Sequence, residues 1–73
     1  MPLLELKTEI TGNVWKLLKA PGDRVEEDEA VLILESMKME IPVTAAEPGV
    51  LRELLVKEGD SVSDGDVVAR LEV

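Results

Sequence analysis

The chain contains no cysteine, no histidine and no tyrosine, and its one aromatic residue is Trp15. Without cysteine, no disulfide can staple a chain of 73 residues, a size at which folding buries only about 60% of the unfolded surface. Without cysteine or histidine, an ordinary zinc site has no ligand set. The same absences remove the commonest general bases and nucleophiles. Paired carboxylates can hydrolyse glycosides, but that chemistry needs a walled cleft that a chain this short does not build. An independent active site is therefore not expected, and the chain reads as non-catalytic. No apolar run is long enough to cross a bilayer or to act as a secretory signal. A soluble, cytoplasmic protein without membrane association is expected. A basic patch is missing too. The net charge of −8 argues against nucleic acid as a partner and for basic protein surfaces.

What is present is aliphatic. Hydrophobic residues make up 45% of the chain, so a core of Val, Leu, Ile and Ala is expected within a single domain, residues 1–73. The chain also repeats itself. Residues 12–36, "GNVWKLLKAPGDRVEEDEAVLILES", align with residues 49–73, "GVLRELLVKEGDSVSDGDVVARLEV", at nine of 25 positions with an offset of 37. Such self-similarity is what a duplicated unit leaves. Gly22-Asp23 pairs with Gly59-Asp60. Pro21-Gly22 has the form of a type II turn, in which Gly takes a positive φ. The second copy replaces Pro21 with Glu58 but keeps Gly59, because few other residues accept that backbone. "SDGD" and "EPG" are read as two further turns.

Short apolar runs lie between the turns: "VWKLLK", "AVLILE", "IPV", "VLRELLV" and "DVVARLEV". Their length and spacing predict strands in an all-β barrel or sandwich. "EEDEAVLILESMKME" is rich in helix formers, but its counterpart "SDGDVVARLEV" suits a turn and a strand, and two copies of one unit should share one structure. Strict alternation along a strand places Ala30, Leu32 and Leu34, with Val67, Ala69 and Leu71, on the core face. It places Val31, Ile33 and Glu35, with Val68, Arg70 and Glu72, on the outer face. Trp15 is expected at a core or half-buried strand position. Glu26, Glu27, Asp28 and Glu29 lack the spaced ligand pattern of a calcium loop and read as a solvated turn.

Between the copies stands "ESMKMEIP". Met37 and Met39 flank Lys38, and taken alone the methionines would be ordinary core filler. Their position changes that reading. If the copies are related by a two-fold axis, Met37-Lys38-Met39 and the C-terminus occupy equivalent sites at opposite ends of the domain, and Lys38 caps a tight hairpin. "ESMKME" resembles the attachment motif of the biotinyl domains, the biotin carboxyl carrier family. "GNVW", the "PGD" turn, "VLILESMKMEIPV", "EPGV" and "KEGDSVSDGDVV" extend the resemblance over nearly the whole chain. Lys19 runs directly into Ala20-Pro21-Gly22, where some bacterial carriers insert a thumb, so the chain is similar to the thumbless subgroup.

The resemblance implies a flattened barrel of two four-stranded antiparallel sheets with a quasi two-fold axis. It implies covalent biotin on Lys38, with Met37, Met39, Glu35 and Glu40 read by a biotin protein ligase. The implied function is a swinging arm that carries a carboxyl group between a biotin carboxylase and a carboxyltransferase. A water-exposed lysine has a pKa near 10.4 and is almost wholly charged at pH 7, so the ligase must supply an activated acyl group and remove the proton. Five lysines are present, so charge alone cannot select one. A lipoyl carrier of a 2-oxo acid dehydrogenase system is the first alternative, although sister lipoyl domains usually carry Asp-Lys-Ala at the hairpin. An unmodified interaction module is the second.

Overall fold

The alternating, turn-punctuated pattern folds as eight strands in the computed structural model, which describes residues 2–73. They are β1 (Leu3–Lys7), β2 (Gly12–Leu17), β3 (Arg24–Val25), β4 (Ala30–Ser36), β5 (Met39–Thr44), β6 (Gly49–Leu54), β7 (Ser61–Val62) and β8 (Val67–Glu72). They form two antiparallel four-stranded sheets, ordered β1-β8-β6-β3 and β5-β4-β2-β7. We call the first the terminal sheet and the second the hairpin sheet. The core between them is aliphatic, with Val14, Val25, Leu32, Leu34, Leu51, Leu71 and their neighbours excluded from water.

The repeat is visible in the hydrogen bonds. Gly22 N–H donates to Leu51 O, and Gly59 N–H donates to Val14 O. Leu51 N–H donates to Asp23 O, and Val14 N–H donates to Asp60 O. Every residue in the second bond of each pair is the counterpart of one in the first, so a quasi two-fold axis exchanges the sheets. Four turns are each closed by a carboxylate three residues on. Ala20 N–H donates to Asp23 Oδ2, Glu26 N–H to Glu29 Oε1, Lys57 N–H to Asp60 Oδ2 and Ser63 N–H to Asp66 Oδ2. Gly22 and Gly59 have φ of 99° and 93°, as the Pro-Gly signature requires. The acidic run is accounted for in the same way: Glu29 closes a turn, and Asp28 takes a positive φ where the second copy has Gly65. Among the described residues no cluster of acids could hold a metal ion.

The symmetry also extends the repeat beyond the residues that align. β1 stands beside β8 as β5 stands beside β4: Leu6 faces Ala69 as Val43 faces Leu32. The repeating units are therefore residues 2–36 and 39–73, and Met37-Lys38 is the whole connection between them. Each unit gives two strands to each sheet, so neither sheet can form from one unit alone. β1 was not among the sequence-predicted strands because "LLELK" and "MEIPVT" share a pattern of burial but no identities.

Three expectations need correction. Val31 and Val68, assigned to the outer face, are fully buried. The cause is a bulge: the register shifts between Ala30 and Leu32, and β1 against β8 is likewise irregular beside Val68. An extra residue breaks the alternation of faces, so Val31 and Leu32 both point inward. Ile33 is only partly covered, as expected. Trp15 lies in a strand, but on the surface, 46% exposed. A second bulge puts Trp15 and Lys16 together opposite Ile33, and both are exposed. Finally, Gly49 of "EPG" does not serve a positive-φ turn. It and Gly12 begin strands, where an added Cβ would lie 2.5 Å from Glu72 O and Glu35 O respectively. Glycine is required there for the close approach of two backbones.

Candidate functional site

The hairpin between β4 and β5 is as short as a hairpin can be. Ser36 faces Met39 across the ladder, which leaves Met37 and Lys38 as the loop. Their φ values are 52° and 66°, both left-handed, as a type I′ turn demands. That turn matches the twist of the flanking strands, yet it normally recruits Asn and Gly. A non-glycine residue in this region costs about 1–2 kcal/mol. The surrounding structure holds the strain in place. Six register pairs tie β4 to β5, from Ala30 with Thr44 to Ser36 with Met39. Ser36 Oγ donates to Thr11 O at 3.0 Å, fastening the base of the hairpin to the segment before β2. Sequence reasoning missed Ser36; its signal was a small hydroxyl residue beside the turn.

Lys38 is exposed and, among the described residues, makes no side-chain hydrogen bond or ion pair. Met37 is 93% and Met39 63% exposed, so neither is core filler. Two unbranched apolar side chains held in water are a cost that a purely structural hairpin has no reason to bear. Glu35 and Glu40 are exposed and directly opposite each other one rung below the turn. Like charges so placed repel. The predicted residues Glu35, Met37, Lys38, Met39 and Glu40 thus meet at one tip, while Gly22 and Gly59 sit in turns elsewhere and shape the barrel.

The family model described as "Biotin-requiring enzyme" matches residues 5–71. The chain belongs to the biotin/lipoyl attachment family. Members of this family carry biotin or lipoate covalently. The chain is 44% identical over 68 residues to a biotin/lipoyl attachment protein of Bacillus subtilis, covering 93% of each. It is 46% identical over 67 residues to a probable dihydrolipoyllysine-residue succinyltransferase component of the 2-oxoglutarate dehydrogenase complex of Schizosaccharomyces pombe, covering 90% of this chain and 14% of that protein. The fold superposes on the urea carboxylase of Kluyveromyces lactis with a TM-score of 0.94 and 40% identity, over 99% of this chain and 6% of that one. Biotin/lipoyl attachment domains thus stand both alone, at the length of this chain, and as small parts of much larger enzymes.

Proposed function

We propose that the chain is a biotin carrier, with Lys38 as the attachment residue. The carrying observation is the display of Lys38: an exposed amine, without an ion pair among the described residues, at the tip of a two-residue turn and set between two exposed methionines. An exposed primary amine free of ion pairs is the group an amide bond to a carboxylic cofactor needs. In that step Nζ, once deprotonated, bonds to the carbonyl carbon of an acyl group that the ligase has activated. The leaving group departs from that carbon, and the second proton leaves as the amide forms. Lys38 loses its charge, moving the net charge of −8 by one further unit. Bound biotin supplies a ureido nitrogen that can accept and release a carboxyl group. The chain contributes a stiff mount for the arm, and tethering raises the cofactor's local concentration at partner sites to about the millimolar range. The partners on this reading are a biotin protein ligase, a biotin carboxylase and a carboxyltransferase.

The likeness to urea carboxylase and the methionines on both sides of Lys38 favour biotin. The likeness to a dihydrolipoyllysine-bearing succinyltransferase component keeps lipoate as the second reading. Intact-mass measurement separates them after coexpression with a biotin protein ligase or with a lipoyl ligase. One biotinyl adduct is expected, absent in Lys38→Arg, whose guanidinium does not form this amide. A folded wild type that takes no biotin overturns the proposal, and a lipoyl adduct alone installs the alternative.

A further inference from the structure

The quasi two-fold axis gives every surface position of the hairpin sheet a counterpart on the terminal sheet, so each face is a control for the other. On the outer face of the terminal sheet, one row across three strands runs Glu53, Arg70, Glu5. Arg70 is 3.1 Å from Glu53 and 3.5 Å from Glu5. Beside the row, Arg52 is ion-paired with Glu72. That face satisfies its own charges. The counterpart row on the hairpin sheet runs from the Trp15-Lys16 bulge through Ile33 to Pro42. Trp15 stands where the other face has Arg52, Ile33 where it has Arg70, and Pro42 where it has Glu5. Glu35, the counterpart of Glu72, consequently has no arginine beside it and faces Glu40 instead. One face pairs its charges internally. The other is apolar along Trp15, Ile33 and Pro42, carries the exposed Lys16 beside Trp15, and has above it two carboxylates that form no ion pair among the described residues.

We infer that the apolar row formed by Trp15, Ile33 and Pro42 is a docking surface for the ligase that acylates Lys38, which should meet it with apolar side chains and place basic groups against Glu35 and Glu40. The inference rests on the reading of Lys38 given above. Its geometric argument is reach. An enzyme served by a long arm can bind at a distance, but the ligase must bring its reacting atoms to Nζ itself. A stable protein contact covers about 800 Å² of each partner, a patch of roughly 16 Å radius. The Ile33–Pro42 rung lies three rungs from the Ser36–Met39 pair, about 10 Å along the strands. A ligase footprint centred on Lys38 that follows the outer face therefore includes this row. Trp is among the residues enriched at binding hot spots, and Trp15 is 46% exposed on this face. A second copy of the chain suits the face less well, because each copy brings a charge of −8 and its own unpaired Glu35 and Glu40.

The test copies one face onto the other. The fourfold variant Trp15→Arg, Lys16→Glu, Ile33→Arg, Pro42→Glu writes the terminal sheet's ionic row onto the hairpin sheet, a row that the same fold already carries. With a cognate biotin protein ligase, biotin and ATP, the KM for the carrier is expected to rise about tenfold or more, with kcat at saturating carrier within about twofold. Arg70→Ile, on the opposite face, should leave KM unchanged. As a readout that needs no turnover of the variant itself, Lys38→Arg should inhibit biotinylation of the wild type competitively, and Lys38→Arg combined with the fourfold change should not. If the fourfold variant melts below the assay temperature, Trp15→Arg alone carries the test, with a threefold or larger rise in KM expected. Unchanged KM in a folded variant overturns the inference and leaves Lys38 as the attachment site. A wild type that accepts no biotin overturns both. A wild-type dimer by sedimentation that the variant turns into monomer reassigns the face to self-association and overturns the docking inference.

Discussion

Where β6 carries Arg52, β2 carries Trp15; where β8 carries Arg70, β4 carries Ile33; where β1 carries Glu5, β5 carries Pro42. The backbone under these pairs is the same. Both sheets have a bulge at the first position, both have the same registers, and both begin the bulged strand with a glycine that another backbone crosses closely. The difference between the faces is thus not imposed by the fold. It teaches that the duplicated frame and the surface placed on it are separable. Core positions stay apolar in both halves because both must fill one interior, whereas surface positions such as Trp15 and Arg52 are free to differ. The tips diverge in the same sense. At the hairpin sheet's tip, two residues bridge Ser36 to Met39. At the terminal sheet's tip, Val73 N–H donates to Pro2 O, the same rung, between the two ends of the described chain.

The frame's symmetry is best attacked at the glycines. Gly12→Ala and Gly49→Ala should each drive a Cβ against a backbone carbonyl at 2.5 Å, where no rotamer change can relieve the contact. A loss of about 2–3 kcal/mol is expected for each, lowering Tm by about 10 °C or more in a domain of this size. The two losses should agree within about 1 kcal/mol. Thermal melts that show one glycine tolerated would break the equivalence of the halves.

A smaller effect sharpens the difference between the tips. Met37 has a left-handed backbone and almost no packing to lose. Met37→Asn should therefore stabilise the fold by about 0.5–1 kcal/mol, read as a rise of a few degrees in Tm. A fall in Tm would mean that Met37 supports the hairpin in a way its exposure does not suggest. If the methionine serves recognition, as proposed, the same variant should be more stable and a poorer ligase substrate, which a structural residue would not be.

The smallest effect concerns an ion pair that only the first unit has. Lys19 lies 2.8 Å from Glu29, whereas their counterparts are Val56 and Asp66. The hydrogen bond from Lys19 holds the Glu29 carboxyl below the usual carboxylate range, and the same bond holds the Lys19 ammonium above the usual lysine value. A lowered carboxyl stabilises the fold above its unfolded pKa, about 4.3, and that contribution is lost as pH falls through the lowered value. A raised ammonium stabilises fully below its unfolded pKa, about 10.4, and that contribution is lost as pH rises through the raised value. Lys19→Met should thus lower Tm only between about pH 4 and 10, with the curves converging outside that window. The gap should narrow in 1 M salt because the pair is near the surface. A gap that persists at pH 2 would assign the loss to the lysine's packing rather than to its charge.

Much of this was legible in the sequence, and the illegible parts have definite causes. The repeat gave the fold class, the turns at Gly22 and Gly59 and the hairpin that displays Lys38. It did so because each depends on local chemistry: a positive φ, an apolar run, a connection of minimal length. The bulges were not legible. One extra residue on a strand leaves no mark in composition, so Val31 and Val68 were placed on the wrong face and Trp15 too deep. β1 was hidden because the alignment stops at identities, whereas its equivalence to β5 is one of position in a sheet. The opposed surfaces needed both. Only after the bulges had set Trp15 and Lys16 over Ile33 could the row be compared with its ionic partner.

The rung between Val73 and Pro2 has one more consequence. Since it reproduces the rung between Ser36 and Met39, the chain is topologically a ring opened at one of two equivalent points. Closing Val73 to Pro2 through a two-residue link and cutting at Met37-Lys38 would give a circular permutant with the same ladder, its former ends turned into a hairpin. Placing Met-Lys in the new link without making the cut would give a cyclic domain with two arms. In that molecule the two lysines would differ in the face beneath each and in the residue that follows, Met39 for one and Pro2 for the other.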